Sequence, residues 1–393
     1  MAGSPGNRQM YRTPNTGSFA PEIELLEYFG DRSTITRYRK AMDLRYGTNP
    51  HQPAAFYVPV GARGLALGGL HELKTGKGGM SATNLQDMNN ALRILKYFGP
   101  KACAIMKHIL PCGFATEAPG RERLADVYRT ALDCDERSAF GSVVGFNRAV
   151  DRETAEAIMA LFTEAVVAPE YEDGVLGVFE RAQRAGRGLN RDIRIVKVSN
   201  MDGLPKFHGE GSAPRNFYAL DDGSIITEEG YLSQVRGRED LKVVTQRQPK
   251  EEEYANMLLA WRLCEFVRSN AVVAAKEGRS IAIGTGKTER VGAVEEMIST
   301  AYKKARYRAR KYSLAAPDKL DAYVQAVHGD LPGAAVASDG FFPDSDSIEA
   351  LAPQLVEAII QPGGSIKDDE VIAACNKYGI TMAFTGSRCF AHL

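Results

Sequence analysis

Residues 334–385 read AAVASDGFFPDSDSIEALAPQLVEAIIQPGGSIKDDEVIAACNKYGITMAFT, and their patterning decides the fold class. Ala334-Ala335-Val336-Ala337-Ser338 is a short apolar run of buried-strand type, and Ala358–Gln361 and Thr381–Thr385 are two more. Between them, Ser347 to about Val356 and Asp368–Tyr378 carry helical patterning. Strand, helix, strand, helix, strand with short connections predicts parallel strands and right-handed crossovers. The loops Asp339–Pro343, Pro362–Ser365 and Gly386–Arg388 then leave the carboxyl edge of the sheet, where open α/β sheets bind ligands.

The same alternation runs upstream. Glu251–Arg268 predicts an amphipathic helix, with Tyr254, Leu258, Trp261 and Glu265 at one helical spacing and Ser269-Asn270 ending it. Ala271–Ala275 and Ser280–Gly284 read as a hairpin around Lys276-Glu277-Gly278-Arg279. Ala102–Met106 reads as a strand that delivers Lys107-His108 at its end. Strands and helices alternating in this way predict an α/β protein. Residues 1–20, rich in Gly, Pro, Asn and Ser, read as a flexible tail. Residues 200–250 are polar and turn-rich, and the main boundary placed there gives units 21–205 and 206–393. There is no fixed-period repeat and no low-complexity tract.

A chain of 393 residues exceeds one ordinary core, and 44% hydrophobic with 25% charged content is that of a soluble globular protein. Lys and Arg total 49, as do Asp and Glu, so no global field favours nucleic acid or an acidic membrane. A local basic pocket would still suit a nucleotide. The N-terminal residues lack the apolar core of a secretory signal, and no apolar run approaches the roughly 18 residues of a membrane span. Cys103, Cys112, Cys134, Cys264, Cys375 and Cys389 show neither CxxC nor metal spacing. Several sit in apolar runs, which predicts buried, reduced thiols in a cytoplasmic protein.

Two stretches carry chemistry on their own residues. Leu44-Arg45-Tyr46-Gly47-Thr48-Asn49-Pro50-His51-Gln52 is an irregular loop, given Gly47 and Asn49-Pro50. Arg45 could grip a phosphate bidentately, and Tyr46 could stack on a ring and donate a hydrogen bond. A merely structural turn is the alternative. Lys107-His108 joins a side chain suited to remove a proton near neutral pH to an ammonium that can stabilise developing negative charge. An ordinary surface pair at a strand end is the alternative there. Gly284–Lys287 lacks the spacer and the Lys-Ser/Thr ending of a phosphate-binding P-loop. Ser365 with Asp368 has the spacing of a capping box, and that helix start could equally offer N–H groups to a ligand. Lys303, Lys304, Arg306, Arg308, Arg310 and Lys311 form a basic run, read as a solvated helix face because no nucleic-acid-reading module accompanies it.

Leu44–Gln52 also resembles the LRYGxNPHQ signature of the transformylase part of the bifunctional AICAR transformylase/IMP cyclohydrolase family. The resemblance continues in order over about residues 40–393. Lys107–Gly113 is similar to that family's KHxxPCG segment, whose Lys and His are the catalytic pair, with Ile109-Leu110 departing from a usual polar residue before the proline. Ser138-Ala139-Phe140-Gly141 and Gly145–Asp151 are similar to SAFGG…FNRPVD, which implies that Phe140 and Gly141 line the folate and base region. Ser142 stands after Gly141 in place of a second glycine. Glu164 matches an acidic residue that holds a polar part of the substrate. Asn270, in Arg268-Ser269-Asn270-Ala271, matches the asparagine that contacts the reacting amino group. Gly284–Arg290 resembles GIGxGQxSR, departing at Lys287 and Glu289 and retaining Arg290 as a substrate contact. Ser338–Pro343 looks like the SDAFFPF loop, with Asp346 on a folate-contacting position and Asp344 replacing an aromatic. Arg388 matches a near-terminal arginine that would share the phosphate with Arg45.

The resemblance implies two tandem cytidine-deaminase-like units, α/β with mixed sheets flanked by helices. It implies no catalytic metal, since the H-x-E and P-C-x-x-C pattern of zinc deaminases is missing. The implied reaction passes a formyl group from 10-formyltetrahydrofolate to the 5-amino group of AICAR. Lys107, His108 and Asn270 are the catalytic set it implies. Arg45, Tyr46, Asn84, Gly141, Glu164, Arg290, Phe341 and Arg388 would bind the nucleotide, and Phe140, Val291, Asp346, Ser365 and Ile366 the folate. A cytoplasmic homodimer with shared sites, without nucleic-acid or membrane partners, is expected. Only 44 residues precede Arg45. A stand-alone transformylase, functionally coupled to a separate IMP cyclohydrolase, is therefore the expectation. The alternative is a ribonucleotide-binding regulatory protein of the same fold, which could dispense with Lys107-His108.

Overall fold

The computed structural model describes residues 14–61, 64–76, 78–185, 188–211 and 213–392. The chain divides between Leu204 and Pro205 into two units.

The first unit begins with a hairpin of β1 (Glu22–Phe29) and β2 (Arg32–Leu44) around Gly30-Asp31, where Gly30 has φ 63°. β3 (Ala54–Pro59) pairs with β2, so Arg45–Pro53 is the loop that joins them. There follow β4 (Ala66–Lys74), α1 (Ala82–Leu95), β5 (Ala102–Lys107), β6 (Leu110–Thr116), α2 (Leu124–Cys134), α3 (Glu136–Ala139), β7 (Ser142–Phe146), α4 (Arg152–Ile158), β8 (Thr163–Ala168), α5 (Val175–Arg184) and β9 (Arg194–Ser199). Their sheet has the order β6-β5-β7-β8-β9-β4. β5 is antiparallel to β6 and β7, whereas β7, β8 and β9 are parallel.

The sheet is covered on both faces, which is why β5 and β7 are unbroken small apolar runs rather than alternating ones. Val144 and Phe146 join the core beneath α2, α4 and α5, with Leu124, Tyr128, Ile158 and Phe179. Gly145 faces α1 on the other side, where a Cβ would lie 2.7 Å from that of Ala91.

The second unit opens with the hairpin β10 (Arg215–Ala219) and β11 (Ile225–Glu229), then β12 (Lys242–Val243), α6 (Glu251–Cys264), β13 (Val272–Lys276), β14 (Arg279–Gly284), α7 (Arg290–Lys311), α8 (Leu320–Ala326), β15 (Ala335–Ser338), α9 (Asp346–Leu351), β16 (Ala358–Gln361), α10 (Asp368–Tyr378) and β17 (Thr381–Phe384). The order of its main sheet is β14-β13-β15-β16-β17-β12. β15, β16 and β17 are parallel, as the strand-helix-strand pattern predicts. Each unit therefore repeats one plan: a helix, an antiparallel hairpin, a second helix and three parallel strands. No sequence repeat announces it, because only the pattern of burial recurs, not the residues.

Three expectations shift. The helix expected over 251–268 ends at Cys264, and it is not amphipathic. Its polar side meets residues 231–236 instead of water: Tyr231 Oη donates to Glu265 at 3.1 Å, and Arg262 pairs with Glu265 at 3.3 Å while its guanidinium also reaches Val235 O. The helix expected over 347–356 stops at Leu351 and tightens into a 3₁₀ turn at Ala352–Gln354, because Pro353 cannot continue an α-helix. The third concerns Ser365, which does not cap α10. The cap position is Lys367, and Ser365 Oγ accepts instead from Lys367 N at 3.2 Å.

Residues 1–13 of the expected tail lie outside the described residues. Asn15 N donates to Arg45 O at 2.7 Å and Tyr57 Oη to Ala20 O at 2.6 Å, so residues 15–20 lie along the β2–β3 loop and the β3 strand. The six cysteines are buried and free. No helix among the described residues is long and apolar enough to cross a membrane.

Candidate active site

In the first unit the Arg45 loop is pinned to the start of α1. Arg45 N donates to Met80 O at 2.7 Å, and Ala82 N donates to Tyr46 O at 3.0 Å. The Arg45 side chain is thereby held inside, only 7% exposed, over the Tyr46 ring at 4.7 Å. Its Nη2 donates to Tyr46 Oη at 3.1 Å and lies 4.0 Å from Glu164 Oε2. Its Nε is buried without a partner.

A second guanidinium, which sequence reading missed, shares that carboxylate. Arg194 opens β9 and sits opposite Ala165 of β8 in the strand register, one residue from Glu164. Arg194 Nη1 is 3.3 Å from Glu164 Oε2, and Nε donates to Gly79 O at 2.7 Å. Burial, then the neighbouring Arg45 charge, pulls its pKa down. Two buried arginines thus face one carboxylate, and the excess of positive charge together with the orphaned Nε suits an anion. The available signal was a charged residue at the head of the β-branched strand Ile195-Val196-Lys197-Val198.

Asn84 completes this group and caps α1 as well. Its Oδ1 accepts from Ser81 N, its own N donates to Ser81 Oγ, and Nδ2 donates to Glu164 Oε2 at 3.3 Å. Three and six residues on, Asp87 and Asn90 continue the same face of α1, all three nearly fully buried. Both hold the tip of the β5–β6 hairpin: Ile109 N donates to Asp87 Oδ1 at 2.6 Å, and Asn90 Nδ2 donates to Ile109 O at 2.9 Å. Polar residues at i, i+3 and i+6, the face that also carries the buried Ala91 and Ile94, were the sequence signal for Asp87 and Asn90.

That tip is where Lys107 and His108 stand. His108 and Ile109 form a two-residue turn with φ 56° and 70°, a conformation that usually recruits Asn-Gly. A β-branched residue there is an outlier, and each such residue costs on the order of 1–3 kcal/mol. The turn aims the exposed His108 off the end of the sheet. Lys107 Nζ donates to Phe140 O at 2.6 Å, which leaves an ammonium two further donors. Phe140 is half-exposed and packs on Phe162 with ring centroids 5.1 Å apart. Gly141 adopts φ 74° and donates to Phe162 O at 2.7 Å, which accounts for glycine at that place.

In the second unit Phe341, Ser365, Ile366 and Arg388 lie on the loops at the carboxyl ends of β15, β16 and β17, whereas Asn270 precedes β13, Arg290 and Val291 open α7, and Asp346 opens α9. Those loops are tied together: Thr385 N donates to Gln361 O at 2.9 Å and Cys389 N to Asp339 O at 3.0 Å. Asn270 follows a cis peptide bond with Ser269, and its Nδ2 donates to Lys287 O at 2.8 Å and Thr288 O at 3.2 Å. Its hydrogens are spent on backbone, so Oδ1 is the atom it can offer a substrate. Arg290 is 8% exposed and ion-paired with the fully buried Asp339, which also accepts from Ser269 Oγ. The Arg290 charge is thus already matched. Val291 follows it, half-buried in the first turn of α7. Arg388 is exposed and stacks on Phe390 at 4.7 Å. Phe341 and Ile366 are exposed. Asp346 Oδ1 accepts from Ser347 N at 2.5 Å, and Asp344 pairs with Lys367, the hydrogen bond to which draws its carboxyl below the usual range. The basic run lies on α7, where Ala301, Ala305 and Ala309 face inward while Arg306 pairs with Asp321 and Arg308 with Asp330.

Strand-end loops over parallel strands, with a buried arginine pair in one unit and a histidine-bearing hairpin tip, define an α/β protein whose strand ends gather its charged and hydrogen-bonding side chains. The family described as the AICARFT/IMPCHase bienzyme matches residues 18–300, and this chain belongs to it. Among its relatives are the bifunctional purine biosynthesis proteins PurH of Persephonella marina, 38% identical over 356 residues, and of Dinoroseobacter shibae, 37% identical over 356. That of Ruegeria sp. is 37% identical over 355 residues. Each match covers 90% of this chain and 60% of the relative, so the chain spans about 60% of the length of the relatives it matches.

Proposed function

We propose that these 393 residues act in purine biosynthesis by transferring a formyl group from 10-formyltetrahydrofolate to the 5-amino group of AICAR, without the later ring closure. The observation that carries the reading is the His108-Ile109 turn, which displays a histidine beside an ammonium at the end of a rigid strand pair. The amine is a poor nucleophile because its lone pair is delocalised into the imidazole and carboxamide. His108 takes one amine proton as the nitrogen attacks the formyl carbon, and the carbonyl becomes a tetrahedral oxyanion. Lys107, held by Phe140 O, places its remaining N–H groups toward that oxyanion. Collapse re-forms the carbonyl and breaks the bond to the folate nitrogen, which leaves with a proton. Formyl-AICAR and tetrahydrofolate are the products.

Asn270 accepts from the amine through Oδ1, and Arg45 and Arg388 serve the phosphate. The orphaned Arg45 Nε supports its part. Phe341 flanks the base, and the exposed Phe140 and Ile366 suit the apolar folate ring. A homodimer with shared sites and tandem cytidine-deaminase-like units belong to the same reading. The test is incubation with AICAR and 10-formyltetrahydrofolate while tetrahydrofolate release is followed. Nucleotide binding without turnover would favour the regulatory reading instead.

A further inference from the structure

The hairpin tips of the two units are built alike but carry different charges: Asp87 stands where the second unit has Asn256, and His108 where it has Glu277. In the first unit Lys107 ends β5, and His108-Ile109 turns with positive φ. The second has Lys276 at the end of β13, and Glu277-Gly278 turns with φ 51° and 69°. Both lysines donate to a carbonyl just ahead of the next strand, Lys107 to Phe140 O at 2.6 Å and Lys276 to Pro332 O at 3.1 Å. Both turns rest on the sixth residue of the preceding helix. Ile109 N donates to Asp87 Oδ1 at 2.6 Å, and Glu277 N donates to Asn256 Oδ1 at 3.0 Å.

An amide therefore suffices to hold such a turn. The first unit uses a carboxylate instead, and burial makes that costly, pushing Asp87 up to about 6. Among the charged groups near Asp87, His108 on the hairpin draws the carboxyl down and Glu164 on β8 raises it. On its own helix Asn84 and Asn90 are uncharged, and Arg93 donates to Asn90. Only the turn with the carboxylate beneath it carries a histidine.

We propose that Asp87 is a positioning residue that fixes the His108-Ile109 turn and supplies the negative charge that stabilises the His108 imidazolium once it has taken the substrate proton. This rests on the proposed formyl transfer for its role in turnover, but the charge coupling can be read without any substrate. The logic is that of a buried carboxylate beside a catalytic histidine, except that here Asp87 grips backbone N–H groups of the turn.

The experiment is an NMR titration of the His108 ring in the full chain, assigned with His108→Ala, together with formyl-transfer rates against pH. Asp87→Asn keeps the acceptor for Ile109 N–H and removes the charge. It is expected to lower the His108 midpoint by about 1 pH unit, and to reduce kcat by roughly 10-fold with KM for the nucleotide changed less than about 2-fold. Asp87→Glu restores charge at the expense of geometry and is expected to keep the midpoint within about 0.3 unit of the original. Asn256→Asp, on the helix beneath the turn that bears no histidine, is expected to leave both the midpoint and the pH profile in place. An Asp87→Asn protein with the original His108 midpoint would overturn the proposal, whatever its rate. A shifted midpoint in a protein that transfers no formyl group would support the coupling and defeat the transfer reading instead.

Discussion

Asp87 shows what a buried carboxylate costs in a packed site. Burial pushes its carboxyl up to about 6, above the ordinary carboxylate range, so the folded state binds the extra proton. The associated stability is present in full below about pH 4 and is lost as pH rises through about 6, a change of about 2–3 kcal/mol. Asp87→Asn should remove that dependence and make the chain more stable at pH 7.5. Urea unfolding of both proteins at pH 4.5 and pH 7.5 measures it, and parallel behaviour would show that burial does not tax Asp87. His108→Ala should lower kcat by roughly 10²–10⁴-fold with nucleotide binding nearly intact, whereas a variant within a factor of a few of wild type would remove His108 from the mechanism. For the phosphate, Arg45→Lys and Arg388→Lys should both weaken AICAR binding, since an ammonium lacks the planar fork. The informative ratio is ribonucleotide over riboside affinity. Ratios unchanged in the alanine variants would place the phosphate elsewhere.

Hairpin and helix meet through glycine in both units. A Cβ on Gly113 of β6 would lie 1.9 Å from Ala131 O of α2, and one on Gly284 of β14 the same distance from Ala293 O of α7. The opposing atom is helix backbone in each case and cannot rotate away. Gly113→Ala and Gly284→Ala should each destabilise by about 2–4 kcal/mol, read as a fall in the thermal midpoint. A midpoint within about a degree of wild type would mean that the helix shifts freely. Elements with strong local patterns were legible: β16 and α10 form over the residues their sequence marks, and β13–β14 turns at Glu277-Gly278. The β1–β2 hairpin was legible too, since Gly30-Asp31 between alternating runs is a two-residue turn signal that the reading passed over. The polar side of α6 misled because residues 231–236 cover it, and periodicity cannot tell a covering segment from water.

At the scale of the molecule, the expectation of a single activity has a direct check. Formyl transfer to a weakly basic amine is reluctant, so formyl-AICAR should accumulate only modestly until a cyclohydrolase is added to draw it forward. Chromatography of products with and without that enzyme is the measurement. IMP formed by the purified chain alone, above the uncatalysed rate, would overturn formyl transfer as its only reaction.

The sequence by itself determined the α/β alternation, the parallel C-terminal strands and the placement of Lys107-His108 at a strand end. Each depends on runs of a few residues and the turns that bound them. The tertiary structure alone decided which charges meet. Arg194 reaches Glu164 because β8 and β9 are register partners, and Arg45 joins them from a loop more than a hundred residues away. Asp87 and Asn90 lie beneath the hairpin turn because α1 packs on that sheet face, and Arg290 is matched by Asp339 across the end of β15. Local patterns are written in neighbouring residues, whereas charge pairing is set by strand order and helix packing, which couple positions that the chain keeps far apart.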